Sequence, residues 1–334
     1  MLDTTVAQGT KVLVLIPALN EEAHIELCLR SILKHDELAR TAAVCVADGG
    51  STDATRGIVT KLSAEFPNIQ LLDNPKRLQS AAMNLALDPM WADRDILVRC
   101  DCHAVYPAGY VSRLIAVLHA KDAASVVVPL DSEPASPAAF ATAVAWVSNT
   151  PFGTGGSAHR AGRVSGYVDH GHHAAFRLGD FRAVGGYDET MVANEDAELD
   201  RRITGKGGRI WLDCDNRVTY FPRDKPHRLW QQYFRYGYGR ATTCLRHGQR
   251  PKLRQLAPVL IVLAILIGLL GVMLWQPWLM LPSFVYLLGL VFVSARVAYS
   301  HHSAKGLLAG AAAGIMHVSW GLGFLSRLVR GREG

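Results

Sequence analysis

Asp101 and His103 in the segment Arg99-Cys100-Asp101-Cys102-His103 put a carboxylate and an imidazole one residue apart. On a strand-like segment, alternate side chains point the same way, so the two would share a face while Cys100 and Cys102 pack on the other. That pair suits Mn²⁺ or Mg²⁺, with diphosphate oxygens completing the shell. A zinc thiolate site competes, but two cysteines one residue apart lack its usual spacing. Further on, Asn194-Glu195-Asp196 opens a helical pattern carrying Glu198, Asp200, Arg201 and Arg202. Acids at a helix start complement the dipole. Alternatively, one of them acts as general base on an attacking hydroxyl, a role worth roughly 10²–10⁴ in rate.

Two earlier segments have the form of ligand loops. Ile16-Pro17-Ala18-Leu19-Asn20-Glu21-Glu22 ends an apolar strand on a proline. Asp48-Gly49-Gly50-Ser51-Thr52-Asp53 ends the next strand on adjacent glycines, which permit a tight turn and close approach by a ligand. Each alone is an ordinary strand-to-helix connection; together they set Glu21 and Asp48 at neighbouring strand ends, where a base and ribose can be held. Gln232-Tyr233-Phe234-Arg235-Tyr236 offers an amide and a guanidinium to a diphosphate, or simply belongs to an amphipathic helix.

These residues need a scaffold. Lys11–Ile16, Ala42–Ala47, Ile69–Leu72, Ile96–Arg99 and Ser125–Pro129 have strand length and β-branched content, and helical patterns run between them at Glu22–Lys34, Ala54–Glu65, Gln79–Leu87 and Tyr110–His119. This alternation predicts an α/β domain with a mostly parallel sheet and ligands at the carboxyl ends of its strands. Residues 131–225 are less regular. Helices are expected at Phe181–Val184 and Asp196–Ile203, and strands at Arg209–Leu212 and Arg217–Phe221, after a glycine-rich stretch from Gly153 to Gly166. Leu229–His247 reads as a basic and aromatic helix suited to a membrane interface or to packing on its own domain.

Net charge is +6, too modest to indicate a nucleic-acid polymer as partner, and only 19% of residues are charged. The shortfall is local: from Leu256 to Leu325 only Arg296 and Lys305 are charged. Leu256–Trp275 and Pro277–Ala295 each approach the ~20 residues that cross a bilayer. Flanking Lys252, Arg254, Arg296 and Lys305 place both ends of that hairpin in the cytoplasm. The third block, Gly306–Leu325, has small residues at Gly306, Gly310 and Gly314 that favour close helix approach; if it crosses, Arg327, Arg330 and Arg332 end outside, against the charge rule. The expected division is 1–225 catalytic, 226–254 interfacial helix and 255–334 membrane region. Six scattered cysteines fit a reducing compartment, and residues 1–11 lack the features of a signal peptide.

Taken in order, Pro-x-x-Asn-Glu, Asp-Gly-Gly-Ser-Thr-Asp, Asp-x-His, Glu-Asp and Gln-x-x-Arg-Tyr resemble the family-2 inverting glycosyltransferases of GT-A fold. Arg99–Pro107, Val168–Arg177, Val184–Glu189 and Gln232–Gly237 are similar to the ExoA-like branch of succinoglycan and exopolysaccharide glucosyltransferases. The resemblance implies that Pro17, Leu19, Glu21 and Asp48 hold uridine, that Arg77 and Asn84 contact the donor, and that Asp101 and His103 occupy the place of a metal-binding Asp-x-Asp. It further implies Asp196 as catalytic base, Glu195 in acceptor binding, and Gln232 and Arg235 against donor and acceptor. Two departures stand out: His103 replaces an aspartate, and Tyr236 replaces the tryptophan of Gln-x-x-Arg-Trp. His170, His172 and His173 form a cluster read as packing or acceptor contacts ahead of a third metal ligand.

The expected activity is inverting transfer of a hexose, glucose from UDP-glucose, to a polyprenyl-diphosphate-linked saccharide at the cytoplasmic face of a bacterial inner membrane. A leaving diphosphate calls for cationic stabilisation, and a single base favours in-line displacement and a β-linkage. The alternatives are a processive synthase, disfavoured by the missing tryptophan and few spans, and a non-catalytic membrane scaffold, disfavoured by the retained acids.

Overall fold

A computed structural model describes residues 9–155 and 164–331. Part of the glycine-rich stretch, residues 156–163, lies outside the described residues, as do 1–8 and Arg332. The described chain forms two compact units. The first comprises residues up to 131, 164–190 and 195–220, and the second 132–155, 191–194 and 221–331.

The strands are β1 (Val12–Ala18), β2 (Ala43–Asp48), β3 (Ile69–Asp73), β4 (Ile96–Arg99), β5 (Ala104–Val105), β6 (Ser125–Val127), β7 (Leu130–Ser132), β8 (Gly166–Tyr167), β9 (His173–Arg177), β10 (Ile210–Leu212) and β11 (Val218–Tyr220). In the first unit an eight-stranded sheet runs β3-β2-β1-β4-β9-β6-β10-β8, mostly parallel, with β9 antiparallel to both neighbours and β8 antiparallel to β10. A small sheet runs β5-β11-β7. The early helices are α1 (Ile25–Leu33), α2 (Glu37–Thr41), α3 (Thr55–Glu65), α4 (Gln79–Asn84) and α5 (Tyr110–Ala120).

Both faces of the sheet are covered, which is why β1 reads as an unbroken apolar run. Its Val12, Val14 and Ile16 pack on one side with Ile25, Leu29 and Ile32 of α1, and Leu13 and Leu15 pack on the other with Met83, Leu97 and Phe176. Pro17 sits inside β1 at no cost to the ladder. Pairing to β4 ends at Leu15 opposite Arg99, so beyond that point only β2 flanks the strand.

The second unit holds α6 (Ala139–Ser148), α7 (Pro151–Thr154), α10 (Pro226–Arg246), α11 (Leu253–Met273), α12 (Leu281–Ser300) and α13 (Ala309–Val329); α8 (Leu178–Ala183) and α9 (Glu195–Gly205) belong to the first. Three helical segments, Leu253–Met273, Pro277–Ser300 and Ala304–Val329, are long and apolar enough to cross a membrane. The first two expose their large side chains, among them Leu266, Phe284 and Phe292, while half of the third is buried within its unit.

Small residues explain that burial. Gly306 abuts the backbone of Ala298, Gly310 the carbonyl of Leu290, Gly321 that of Pro258, and Gly323 that of Phe234. Helix α10 lies along α13, burying Leu229, Tyr233, Gly237 and Ala241, so the basic and aromatic helix packs on its own unit by one face.

Candidate active site

At the carboxyl end of β2, Asp48 is buried and spends its carboxylate on its own loop. It accepts from Gly50 N (3.0 Å), Ser51 N (3.1 Å), Ser51 Oγ (2.5 Å) and Arg56 Nη1 (2.7 Å). Burial opposes its ionisation, but the Ser51 and Arg56 bonds outweigh that and hold it below the usual carboxylate range. Asp48 therefore shapes the loop. The loop's open wall is made elsewhere: Gly49 lies against Leu19 Cδ1 and the backbone of Arg77, both exposed, and the backbone N–H of Glu21 donates to Thr55 Oγ1 at 2.8 Å. Asn20 and Arg77 take left-handed φ of 55° and 57° at this wall, a conformation that Asn tolerates and that strains Arg77, as backbone at ligand loops often is. Asn84 does something different from the expected donor contact. Its amide donates to Tyr187 O (2.8 Å) and Glu189 Oε1 (3.1 Å) and accepts from Tyr187 N (2.8 Å), which ties α4 to the 187–189 loop.

Strand β4 stops at Arg99, so Asp101 and His103 lie in the turn before β5 and do not alternate as on a pleated strand. Both cysteines are buried in the core, as expected. Asp101 Oδ1 accepts from Arg99 Nε (3.2 Å) and Gln79 Nε2 (3.1 Å), while Oδ2 lies 3.6 Å from His172 Nε2. Burial works against the charge, yet Arg99 above all keeps this carboxyl at about 2. His103 Nδ1 is buried without a hydrogen-bond partner among the described residues, 3.5 Å from Glu21 Oε1. An ionised carboxylate with one oxygen open to a further ligand and a buried, unpartnered imidazole nitrogen nearby make a donor set that fits Mn²⁺ or Mg²⁺. No cluster of three ligating side chains occurs among the described residues, so substrate oxygens would have to complete the shell.

The densest polar assembly surrounds Asp196 in the first turn of α9. Its Oδ1 accepts from Arg99 Nη1 (2.6 Å), the Tyr187 hydroxyl (3.1 Å) and His173 Nδ1 (3.1 Å), while Oδ2 receives no hydrogen bond among the described residues. Despite burial, Arg99 and His173 hold Asp196 far below the ordinary carboxylate range. Glu195 beside it moves the other way, pushed up to about 7 by burial and by the charge of Asp196. Asn194, just before them, adopts φ 63°, a left-handed conformation that Asn tolerates, and its Nδ2 donates to Tyr236 O at 2.7 Å. One arginine thus bridges the Asp101 and Asp196 carboxylates, bringing the expected metal and base residues into one cluster. Gln232 and Arg235 lie on α10 in the second unit, where Gln232 Nε2 donates to the Tyr236 hydroxyl at 3.0 Å.

Arg99 and Tyr187 have no role in the sequence reading, which gives His173 only as packing or an acceptor contact and Asp200 only as one acid of the helical pattern. Arg99 carried a usable signal, because a charge closing a buried strand Ile-Leu-Val-Arg must have partners. Asp200 carried a second, since it stands four residues from Asp196 on the same helix face.

Comparison with known proteins bears on the family and the fold. The family model described as "Glycosyl transferase family 2" matches residues 13–185, which span β1 to α8. The succinoglycan biosynthesis protein ExoA of Rhizobium meliloti (strain 1021) is 41% identical over 321 residues, covering 96% of each chain. A shorter stretch of 96 residues is 32% identical to a dolichyl N-acetyl-alpha-D-glucosaminyl phosphate 3-beta-D-2,3-diacetamido-2,3-dideoxy-beta-D-glucuronosyltransferase of Methanococcus voltae, covering 28% of this chain and 29% of that one. Among solved structures, the mannosyltransferase PcManGT of Pyrobaculum calidifontis, in complex with GDP-Man and Mn²⁺, superposes with a TM-score of 0.59 at 19% identity, over 98% of this chain and 89% of that one. Its likeness supports the GT-A architecture of the first unit. The chain belongs to glycosyl transferase family 2.

Proposed function

We propose that this chain transfers a hexose, glucose from UDP-glucose, to a polyprenyl-diphosphate-linked saccharide during exopolysaccharide assembly, with inversion to a β-linkage. The observation that carries the reading is the Arg99-bridged cluster of Asp101 and Asp196, beside the Asp48 loop, in a chain 41% identical to a succinoglycan biosynthesis protein. The catalytic unit faces the cytoplasm of the inner membrane, where sugar nucleotides are made. The apolar helices keep it beside a lipid-borne acceptor, a class also indicated by the dolichyl-linked substrate in the name of the Methanococcus relative.

In this reading Pro17, Leu19, Glu21 and the loop built on Asp48 enclose the uridine, and Arg77, at the same wall as Leu19, contacts the donor. Asp101 and His103 would hold a divalent cation, which would supply charge neutralisation for the departing diphosphate. Asp196, fixed through Oδ1, offers Oδ2 to the acceptor hydroxyl and takes its proton as the new glycosidic bond forms and the bond to UDP breaks. Glu195, the more weakly acidic of the pair, hydrogen-bonds a neighbouring hydroxyl of the acceptor and orients it. No side chain needs to form a covalent glycosyl intermediate, which is why the anomeric centre inverts.

The test is Asp196→Asn in the full-length chain, reconstituted in lipid with UDP-[¹⁴C]glucose and a lipid extract bearing saccharide acceptors. Transfer should fall about 10²–10⁴-fold while UDP affinity by calorimetry stays within about twofold. Wild-type turnover would remove Asp196 from the base role, and transfer of a different UDP-sugar would correct the donor alone. Product length separates single addition from processive synthesis.

A further inference from the structure

We infer that His173, gripped between Asp196 and Asp200, is a positioning residue that keeps the Asp196 carboxylate charged and turned so that Oδ2 meets the acceptor hydroxyl. The inference rests on the reading of Asp196 as the base. It comes from a side-chain arrangement that lies behind the reacting groups.

Helix α9 carries Asp196 and Asp200 one turn apart, so both project from one face. Between them stands the fully buried ring of His173, the first residue of β9. Its Nε2 is 2.7 Å from Asp200 Oδ1. Its Nδ1 is 2.6 Å from the Tyr187 hydroxyl and 3.1 Å from Asp196 Oδ1, and the Tyr187 hydroxyl donates in turn to the same Oδ1. Asp200 is itself pinned, accepting from Gly171 N at 3.2 Å through its other oxygen. The assembly is therefore a stack, with backbone holding Asp200, Asp200 holding His173, and His173 holding Asp196.

Only a doubly protonated ring donates to both carboxylates of that stack; a neutral ring keeping its Nε2 proton for Asp200 could accept from the Tyr187 hydroxyl but would not hold Asp196. A neutral imidazole would turn a lone pair toward one of two carboxylates. Burial disfavours the imidazolium, but Asp200 and Asp196 overcome it and raise His173 to about 9. The other groups facing this centre are Arg99 from β4, Tyr187, His172 and Glu195. Arg99 already supplies one cation to Oδ1 but is shared with Asp101. His173 is shared as well, but through its other nitrogen, and the bond to Asp200 fixes the ring against Asp196. Replacing the whole buried group by apolar residues could be neutral, whereas removing His173 alone leaves two buried carboxylates a cation short, so stability by itself does not account for the assembly. What it adds is direction: with three donors on Oδ1, Oδ2 is the oxygen left for the acceptor.

The experiment compares wild type, His173→Gln, Asp200→Asn and Asp196→Asn as full-length chains in lipid, with UDP-[¹⁴C]glucose and the same acceptor extract. His173→Gln should lower kcat about 10–100-fold with KM for UDP-glucose within about twofold, and its acidic limb should move up by about 1–3 pH units, the usual effect of losing a neighbouring cation. Asp200→Asn should bring the basic limb of kcat down from near 9, because His173 then loses one of the two charges that keep it protonated. A kcat and a pH profile that match wild type in both variants, with Asp196→Asn inactive, would overturn the proposal and leave the base assignment intact. Wild-type turnover in Asp196→Asn would instead overturn the base assignment. If His173→Gln loses UDP binding, and so its fold, the near-isosteric Asp200→Asn decides: a shifted basic limb supports the stack, and an unshifted one refutes it.

Discussion

Replacing Arg99 by Met should reveal how much charge the site stores. Arg99 is 4% exposed and serves Asp101 at 3.2 Å, Asp196 at 2.6 Å and the Tyr187 hydroxyl at 3.1 Å. Methionine fills much of the volume and removes the cation, leaving two carboxylates short of a partner in a buried setting. Removing one member of a buried pair typically costs about 3–5 kcal/mol. For a unit of this size that corresponds to a fall in Tm of about 6–20 °C at pH 7. The pH dependence gives the argument its sign. Asp101, held at about 2 in the folded chain against 3.8 unfolded, contributes about 2 kcal/mol, fully present above pH 4 and lost as pH falls through 2. Without Arg99 that contribution vanishes, and burial then drives both carboxyls to take up protons above the ordinary range. The Tm gap between wild type and Arg99→Met, followed by scanning fluorimetry in detergent from pH 7.5 to pH 4, should therefore narrow steadily. A gap under about 2 °C at pH 7, or one that stays constant with pH, would show that the guanidinium does not offset these charges. Arg99→Lys should fall between the two, because an ammonium keeps the charge but cannot fork to both acids.

Glu195, pushed up to about 7, binds its proton more tightly folded than unfolded, so it costs stability as pH rises from 4.5 through 7. Glu195→Gln should match wild type in Tm near pH 4.5 and exceed it by a few degrees at pH 8.5, and equal curves at both values would count against a raised carboxyl. His103→Ala should raise the Mn²⁺ concentration that half-saturates UDP binding about tenfold or more by calorimetry, with metal-free UDP affinity little changed; an unaltered Mn²⁺ requirement would remove His103 from the site. Gly237→Ala places a methyl into the carbonyl of Trp320 where α10 meets α13, and should lower the stability of the second unit by about 1–3 kcal/mol in detergent, read as faster proteolysis of that unit. A cysteine at Gln276, in the turn between α11 and α12, should react with a membrane-impermeant maleimide in whole cells. Labelling only after lysis would contradict a hairpin with both ends in the cytoplasm.

The first half of the catalytic unit was legible in the sequence because its strands are both buried and β-branched. The expected Ala42–Ala47 and Ile96–Arg99 became β2 and β4 within a residue, and the helices between them fell where apolar spacing put them. The loops at the strand ends were legible for the same reason, since Pro17, Gly49 and Gly50 are punctuation that a continuous strand or helix resists. Helix α6 was hidden among Pro134, Pro137 and Pro151, which made 131–155 read as irregular although Val144 and Val147 are buried with Val293 and Val297 of α12. The donor contact expected of Asn84 came from the family resemblance, and nothing local announces that Tyr187 and Glu189 claim it from a hundred residues away.

The gap that mattered most was β9. His-Ala-Ala-Phe-Arg has no β-branched residue and no alternation, so its strand state comes entirely from burial between β4 and β6. It also runs against the sheet. Its register pairs Val98 with Ala175 and Leu97 with Phe176, so moving toward its amino end moves toward the carboxyl end of β4. His173 thereby arrives beside Arg99, at the edge where the loops and the start of α9 converge. A parallel strand in that slot would have delivered Arg177 there and left the histidines at the far end of the sheet. The reversal of one short strand lets a residue from the middle of the chain stand between two acids of a later helix. No local pattern encodes it, because the direction of β9 is settled only when the whole sheet assembles.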